Sequence, residues 1–144
     1  MKHKTAITRR KPSAPMQYLL TTNRLCGRML DWGCGKGFDA QYFGMTGYDP
    51  YYCSTLPSGQ FDTITSNYVL NVIKSPKVRQ SVMRAILSYL KPDGMAYISV
   101  RNDLTNLNGY TKIGTWQGKV ELDLPIVFKK SGQFIIYELS HAKH

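Results

Sequence analysis

The feature that constrains this 144-residue chain most is a short apolar run that leads into three closely spaced glycines. The run Met29–Trp32 is followed by Gly33, Gly35 and Gly37, which predicts a short buried strand that enters a tight turn. Glycine lets the backbone turn sharply and approach a ligand without a Cβ in the way. The helix predicted after the turn offers unpaired N–H groups to such a ligand. Alone, the pattern fits a nucleotide site or merely a tight strand–helix connection.

Two aspartates narrow the choice of ligand. The glycine spacing is GxGxG and Asp31 stands two residues before the first glycine, whereas a dinucleotide site has the spacing GxGxxG. A carboxylate at that position would repel a pyrophosphate and attract an α-ammonium group. Asp49 closes the next predicted strand, 18 residues after Asp31, where a carboxylate can accept both hydroxyls of a ribose; the alternative is a turn-forming Asp before Pro50. One carboxylate for a cation and one for a ribose fit S-adenosylmethionine.

The order of predicted elements indicates an α/β fold. Helical spacing of apolar residues predicts helices over 16–25, 38–44 and 76–90, and β-forming runs predict strands over 45–50, 61–66 and 95–100, with a turn at 91–94. The last third predicts an antiparallel hairpin of 119–128 and 133–139 that bends near Ser131 and Gly132. Such alternation is typical of a mostly parallel sheet with an antiparallel edge.

The charge of the chain is large and uneven. Lys and Arg number 19 against 9 Asp and Glu, a net charge of +10, and the length suits one domain. We divide the chain into a basic N-terminal arm, 1–15, and a single domain, 16–144. The basic residues of the arm are Lys2, Lys4, Arg9, Arg10 and Lys11. They predict nucleic acid as a partner, with a solubilising terminus as the alternative; His3, Lys4 and Arg9 could also fold over the site as a lid.

Cysteine usage and hydropathy exclude several classes of protein. Cys26, Cys34 and Cys53 are odd in number and have no zinc-ligand spacing, so we expect free thiols, no metal site and a cytoplasmic protein. No run of about 18 apolar residues occurs, so no membrane span is expected. The basic N-terminus lacks the apolar region of a secretory signal. The sequence does not indicate an oligomeric state.

Four segments follow one another in an order that is known from a large family. They are LDWGCGKG (30–37), GYDP (47–50), FDTITSNYVLNVI (61–73) and LKPDGMAYISV (90–100). On these segments the chain resembles the class I S-adenosylmethionine-dependent methyltransferases. The segments KHKTAI, SAP, YVLNVI and SVR are also similar to small methyltransferase-like proteins of phage and of DNA-phosphorothioation clusters. The resemblance implies a Rossmann-like fold, S-adenosylmethionine as the cofactor and methyl transfer as the activity.

The resemblance also implies a set of cofactor-binding residues. They are Asp31, Gly33, Cys34, Gly35, Gly37, Asp49, Tyr51 and Asn67. The glycine turn would surround the methionine part of the cofactor and Asp31 would reach its ammonium group. Asp49 would accept the ribose hydroxyls, and Tyr51 or Tyr52 would lie against the adenine or else shield an edge strand. We expect Cys34 to be a small packed residue rather than a nucleophile.

The candidates for catalysis are Asn67 and Tyr68, because they follow the family's fourth strand, where cofactor and acceptor meet. Since the sulfonium is already an activated methyl donor, alignment of the two reactants supplies most of the rate. Asn102 and Asp103 follow the next strand, where α/β folds place substrate groups, or they form a solvated turn. Gln117 and its neighbour Trp116 are either an acceptor-stacking pair or part of the core.

The chain departs from the family pattern in two places. Only eleven residues separate Asp49 from Phe61, where the family fits a helix and a strand. We therefore expect a truncated fold that lacks the third strand and the helix before it. The segment 101–116 also lacks a convincing helix.

The predicted function is methyl transfer to a nucleic acid or to a molecule associated with one. Ser66, Asn67 and Tyr68 are not followed by the Pro-Pro-Tyr motif of amino-group DNA methyltransferases, and the chain has no Pro-Cys dipeptide. Both absences argue against ordinary DNA methylation at adenine N6 or cytosine C5. The alternatives are a small-molecule or protein methyltransferase, or an accessory protein that binds the cofactor without transferring its methyl group.

Overall fold

Three helices and eight strands make up the structure, a computed structural model that describes residues 11–103, 109–110 and 116–142. The helices are α1 (Ala14–Thr21), α2 (Phe38–Tyr42) and α3 (Pro76–Tyr89), with a 3₁₀ turn at Leu70–Val72. The strands are β1 (Met29–Trp32), β2 (Thr46–Tyr48), β3 (Phe61–Asn67), β4 (Leu90–Arg101), β5 (Gly109–Tyr110), β6 (Trp116–Gln117), β7 (Ile126–Lys130) and β8 (Phe134–Leu139).

Six of these strands form one sheet in the order β2-β1-β3-β4-β8-β7. The first four run parallel: Leu30 pairs with Thr46 on one side and with Ile64 on the other, and Ile64 pairs with Ala96. Strand β8 runs antiparallel to β4 and to β7, and the hairpin bends at Gly132, whose φ is 71°. The predicted α/β fold, with a mostly parallel sheet and a C-terminal antiparallel hairpin, is confirmed.

Both faces of the sheet are covered, because side chains alternate along each strand. Ala96, Ile98 and Val100 of β4 belong to the larger core cluster, which also contains the fully buried Ile86 of α3. The neighbouring Tyr97 belongs to a second cluster, to which α1 and α2 contribute. The sheet is therefore sandwiched between α3 on one face and α1 and α2 on the other.

Helix α3 matches its prediction to within one residue. The side chain of Ser75 accepts a hydrogen bond from the Val78 N–H at 3.3 Å, which satisfies one of the donors that a helix start leaves open. Pro76 follows in the first turn, where a missing N–H costs nothing. Local signals therefore fix the start of this helix.

Helix α1 differs from its prediction at both ends. It begins at Ala14, inside the range predicted as an extended arm, and ends at Thr21 rather than Leu25. Pro15 sits in its first turn, which a proline tolerates. Asn23 adopts a positive φ of 57°, a conformation that no helix continues through. The first ten residues of the arm lie outside the described residues.

The predicted absence of the third strand is confirmed at the edge of the sheet. Strand β2 is the last strand on its side, and the segment 49–60 that follows it holds one isolated bridge, between Asp49 and Cys53. The turn predicted over 91–94 occurs inside β4 as a bulge. Phe61 pairs with Leu90 and Thr63 pairs with Met95, so three extra residues are accommodated on β4. The prediction of a strand over 119–124 is wrong, since β7 begins only at Ile126.

Candidate cofactor and acceptor site

A cavity of about 670 Å³ opens at the carboxyl ends of the parallel strands. This is the edge at which α/β sheets bind ligands. One half of the cavity is lined by the glycine turn and the ends of β1 and β2, and the other half by the ends of β3 and β4 and by Gln117. Among the described residues, no three His, Cys, Asp or Glu side chains are grouped as metal ligands, and no helix is long and apolar enough to span a membrane.

The glycine turn is held against β2 by its backbone. The N–H groups of Gly33 and Cys34 donate to the carbonyl oxygen of Tyr48 at 2.7 and 2.9 Å. Gly33, Gly35 and Gly37 all have positive φ values, of 82°, 57° and 85°, a region that other residues rarely adopt. A Cβ on Gly33 would lie 2.4 Å from a methyl carbon of Val69. The turn thus needs glycine for its conformation, and Gly33 also needs it for space.

Asp31 lies in β1 at the floor of the cavity. It is 4% exposed, and its Oδ1 accepts a hydrogen bond of 2.8 Å from the Thr65 hydroxyl of β3. The side chain lines the cavity beside Gly33. A buried carboxylate is costly unless it is paired or hydrogen-bonded, so its position suits a cationic group of a ligand.

Asp49 follows β2 and ties the glycine turn to the next segment. Its Oδ2 accepts a hydrogen bond from the Gly35 N–H at 3.0 Å, and its Oδ1 accepts from the Tyr51 and Tyr52 N–H groups at 2.9 and 3.2 Å. The residue is 8% exposed and lines the cavity. Asp49 is therefore a turn-forming residue, and its contact with a ribose stays a prediction.

The two tyrosines that the sequence singles out for the adenine do not line the cavity. Tyr51 and Tyr52 are 40% and 43% exposed and are not among the residues that line the cavity, and neither is Gly37. Trp32 and Tyr48 line it instead, with ring centroids 4.5 Å apart. Their position in the sequence could have indicated this, because Trp32 and Tyr48 are the last residues of β1 and β2.

Asn67 and Tyr68 lie together at the end of β3, as expected, and line the cavity. The Ser99 hydroxyl donates to Asn67 Oδ1 at 2.8 Å, which fixes the amide, and the buried Nδ2 has no hydrogen-bond partner among the described residues. Tyr68 has a positive φ of 62°, and its N–H donates to the Ser99 carbonyl oxygen at 2.9 Å. Strain in a non-glycine residue and an unpaired buried donor are typical of functional sites.

A polar cluster of three side chains lines the other end of the cavity. Arg101 ends β4, Asp103 follows it and Gln117 belongs to β6. Hydrogen bonds from Arg101 lower the pKa of Asp103 from its usual value, and hydrogen bonding to Asp103 raises the pKa of Arg101. Among the residues after β4 that the sequence suggested for acceptor binding, Asp103 and Gln117 line the cavity. Trp116 is instead buried in the core.

Cys34 sits inside the glycine turn with an unusually unreactive thiol. Burial, followed by the nearby charge of Asp31, raises the pKa of Cys34 to about 12. All three cysteines are free. Since the thiolate is the reactive form, this thiol is not a nucleophile at neutral pH, which agrees with the prediction of a packed residue.

The sequence pattern of a family described as "Methyltransferase domain" matches residues 3–122. The solved structure of a DhpI–SAM–HEP complex is similar with a TM-score of 0.57, at 11% identity, covering 87% of this chain and 86% of that one. A DhpI–SAH complex gives a TM-score of 0.55, at 11% identity, covering 78% and 75%.

PKMT2 from Rickettsia typhi, in complex with AdoHcy, has a TM-score of 0.41 and 17% identity; the match covers 52% of this chain but only 21% of that chain. A comparison with curated proteins gives no match. The strand order with its glycine turn and the family match agree on S-adenosylmethionine as the cofactor. The chain belongs to the family of methyltransferase domains and has their Rossmann-like fold.

Proposed function

We propose that the protein transfers the methyl group of S-adenosylmethionine to a nucleic acid or to a molecule bound to one. The cofactor supplies a methyl group already activated on a sulfonium. The protein then needs mainly to align that methyl group with the acceptor atom.

The residues present fit this cofactor. Asp31 offers a buried carboxylate to the ammonium group, and the unpaired Nδ2 of Asn67 offers a hydrogen-bond donor beside it in the cavity wall. Gly33 lines the cavity with backbone alone. Asp49 is buried at the cavity, and its carboxylate accepts a hydrogen bond from the Gly35 N–H of the turn. Each of these residues would bind or orient the cofactor.

The choice of acceptor is supported by the point at which the basic arm joins the domain. The N–H and hydroxyl of Ser13 donate to the Asp39 carboxylate at 3.1 and 2.9 Å, and Asp39 lines the cavity. Lys11, two residues earlier, is exposed. The arm is therefore attached at the cavity, and the chain from Ser13 back to Lys2 can reach at most about 40 Å. A polyanion held by these cations would lie beside the methyl donor.

The experiment is methyl transfer from labelled S-adenosylmethionine to separate pools of DNA, RNA and protein. Two triple variants are compared. One replaces Arg9, Arg10 and Lys11 of the arm by Gln, and the other replaces the exposed Lys77, Arg84 and Lys119 by Gln. We expect label in a nucleic acid pool, and the arm variant should transfer methyl groups at least about tenfold more slowly than the wild type. The slope of log affinity for duplex DNA against log salt concentration should be smaller by about 3 in the arm variant.

Three outcomes would contradict the proposal. Label in the protein pool or in a small molecule would favour those acceptors instead. Tight cofactor binding with no transferred label would favour an accessory protein. Equal losses of methyl transfer in the two triple variants would show that the arm has no specific role, because both variants lose the same number of charges.

A further inference from the structure

The cavity wall at the end of β4 holds an ion pair that is not among the cofactor-binding residues predicted from the sequence. Arg101 Nε donates to Asp103 Oδ1 at 2.8 Å and Nη2 donates to Oδ2 at 2.6 Å. The remaining nitrogen, Nη1, donates to Gln117 Oε1. All three side chains line the cavity.

A buried asparagine connects the backbone of Arg101 to the backbone next to Gln117. Asn71 is 1% exposed; its Oδ1 accepts from the Arg101 N–H at 3.4 Å, and its carbonyl oxygen accepts from the Gly118 N–H at 3.0 Å. Asp103 has a more exposed side chain, 40% against 34% for Arg101. The guanidinium therefore has a defined place in the wall, and both members of the ion pair are partly exposed, so an incoming anion can reach them.

The guanidinium retains donors for a further ligand. It has five N–H groups, and the hydrogen bonds to Asp103 and Gln117 use three of them. The other cation in the described lining of the cavity is Lys36, which belongs to the glycine turn. Arg101 is therefore the cation of the half of the cavity that faces the acceptor.

We propose that Arg101 binds a phosphate group of the methyl acceptor, and that Asp103 holds the guanidinium in position until this anion displaces it. This inference rests on the proposed function and narrows its acceptor to one that carries a phosphate near the methylated atom. The planar fork of arginine matches the oxygens of a phosphate. A phosphate monoester also carries up to two negative charges, so it can compete with a single carboxylate. A backbone phosphodiester carries one negative charge, but it presents the same pair of oxygens to the guanidinium as a phosphorylated small acceptor does.

The test measures phosphate binding to the protein saturated with S-adenosylhomocysteine. Inorganic phosphate is titrated into the wild type and into Arg101→Gln, Arg101→Lys, Asp103→Asn and the surface control Arg84→Gln. We expect Asp103→Asn to tighten binding about fivefold or more, because the competing charge is gone and the side-chain shape is kept. Arg101→Gln and Arg101→Lys should weaken it at least tenfold, and Arg84→Gln should leave it unchanged.

The sign of the Asp103→Asn effect separates this proposal from a purely structural ion pair. If Asp103 only props Arg101, its substitution weakens phosphate binding or leaves it unchanged, and either result overturns the proposal. Thermal unfolding of each variant shows whether it is folded. If Arg101→Gln does not fold, Arg101→Lys and Asp103→Asn still decide the question.

A second arm compares a nucleoside, its 5′-monophosphate and a dinucleotide. Tighter binding of the monophosphate than the dinucleotide supports a phosphorylated small acceptor, and the reverse supports a nucleic acid backbone. Equal affinity for the nucleoside and both phosphates overturns the proposal. Because these are binding measurements, a phosphate site can be found even if no nucleic acid is methylated, which would contradict the proposed function alone.

Discussion

Asp49 illustrates how one side chain can both shape a binding site and face its ligand. Its carboxylate accepts three backbone N–H groups, from Gly35, Tyr51 and Tyr52, and hydrogen bonds to a charged group contribute about 1.5–3 kcal/mol each. The two readings of this residue, a turn former and a ribose ligand, are compatible at Oδ2, which accepts from the Gly35 N–H and has a second lone pair. Oδ1 already accepts from two N–H groups. The sequence could suggest the ribose contact but not these backbone contacts.

The raised pKa of Cys34 predicts a selective pattern of alkylation. Because burial and the charge of Asp31 raise the pKa to about 12, the thiol keeps its proton as the pH rises through the usual range of a cysteine. The exposed Cys26 and Cys53 should react with iodoacetamide at pH 8 at least about 100-fold faster than Cys34. The rate at Cys34 should still rise about tenfold per pH unit between pH 8 and 10.

Mass spectrometry of the labelled peptides measures all three rates in one sample. A Cys34→Ser variant should lack the slow phase and keep the two fast ones. Early labelling of Cys34, or a rate that levels off below pH 10, would contradict the raised pKa.

Elements fixed by local signals were predictable, and those fixed by tertiary contacts were not. The start of α3 follows from Ser75 and Pro76, and Gly44, with a φ of 67°, follows α2 as expected. The bulge in β4 depends instead on its pairing with β3. The end of α1 is marked by a local feature, the positive φ of Asn23, but the spacing of apolar residues carries no information about it.

The short link that replaces the third strand depends on Arg28. Its guanidinium donates to the carbonyl oxygens of Ser58 and Gln60, each at 2.8 Å, and lies 4.1 Å from the centre of the Phe61 ring. Asp62 Oδ2 accepts from the Arg28 N–H at 2.8 Å. One arginine thus holds an exposed segment that has no strand of its own.

We expect Arg28→Lys to loosen this link. Lysine cannot reach two carbonyl oxygens with a planar fork, and the loss of these surface contacts should cost about 1 kcal/mol of unfolding free energy. Urea unfolding measures the loss, and hydrogen exchange should speed up within 54–60. The matched substitution Arg84→Lys on α3 should change neither measurement; faster exchange spread evenly over the whole chain would count against a local role for Arg28.

At the scale of the whole molecule, the glycine turn and the order of elements were enough to predict the fold and the position of the site. The composition of the site was harder, since Trp32 and Tyr48 line the cavity and Tyr51 does not. Arg101 was not predicted as a site residue, because no local motif marks it as one. Its contact with Gln117, 16 residues away along the chain, forms only in the folded protein. Motifs therefore indicate the glycine turn and its two carboxylates, whereas the contacts of Arg101 at the end of β4 are made only in the fold.

The central claim is that this cavity binds S-adenosylmethionine, and calorimetric titration tests it most directly. The wild type, Asp49→Asn and the exposed control Asp93→Asn are each titrated with S-adenosylmethionine and with S-adenosylhomocysteine. The account predicts saturable binding of both ligands tighter than about 1 mM, or about −4 kcal/mol, weakened at least about tenfold by Asp49→Asn and unchanged by Asp93→Asn. If the folded wild type binds neither ligand at that strength, the account is contradicted.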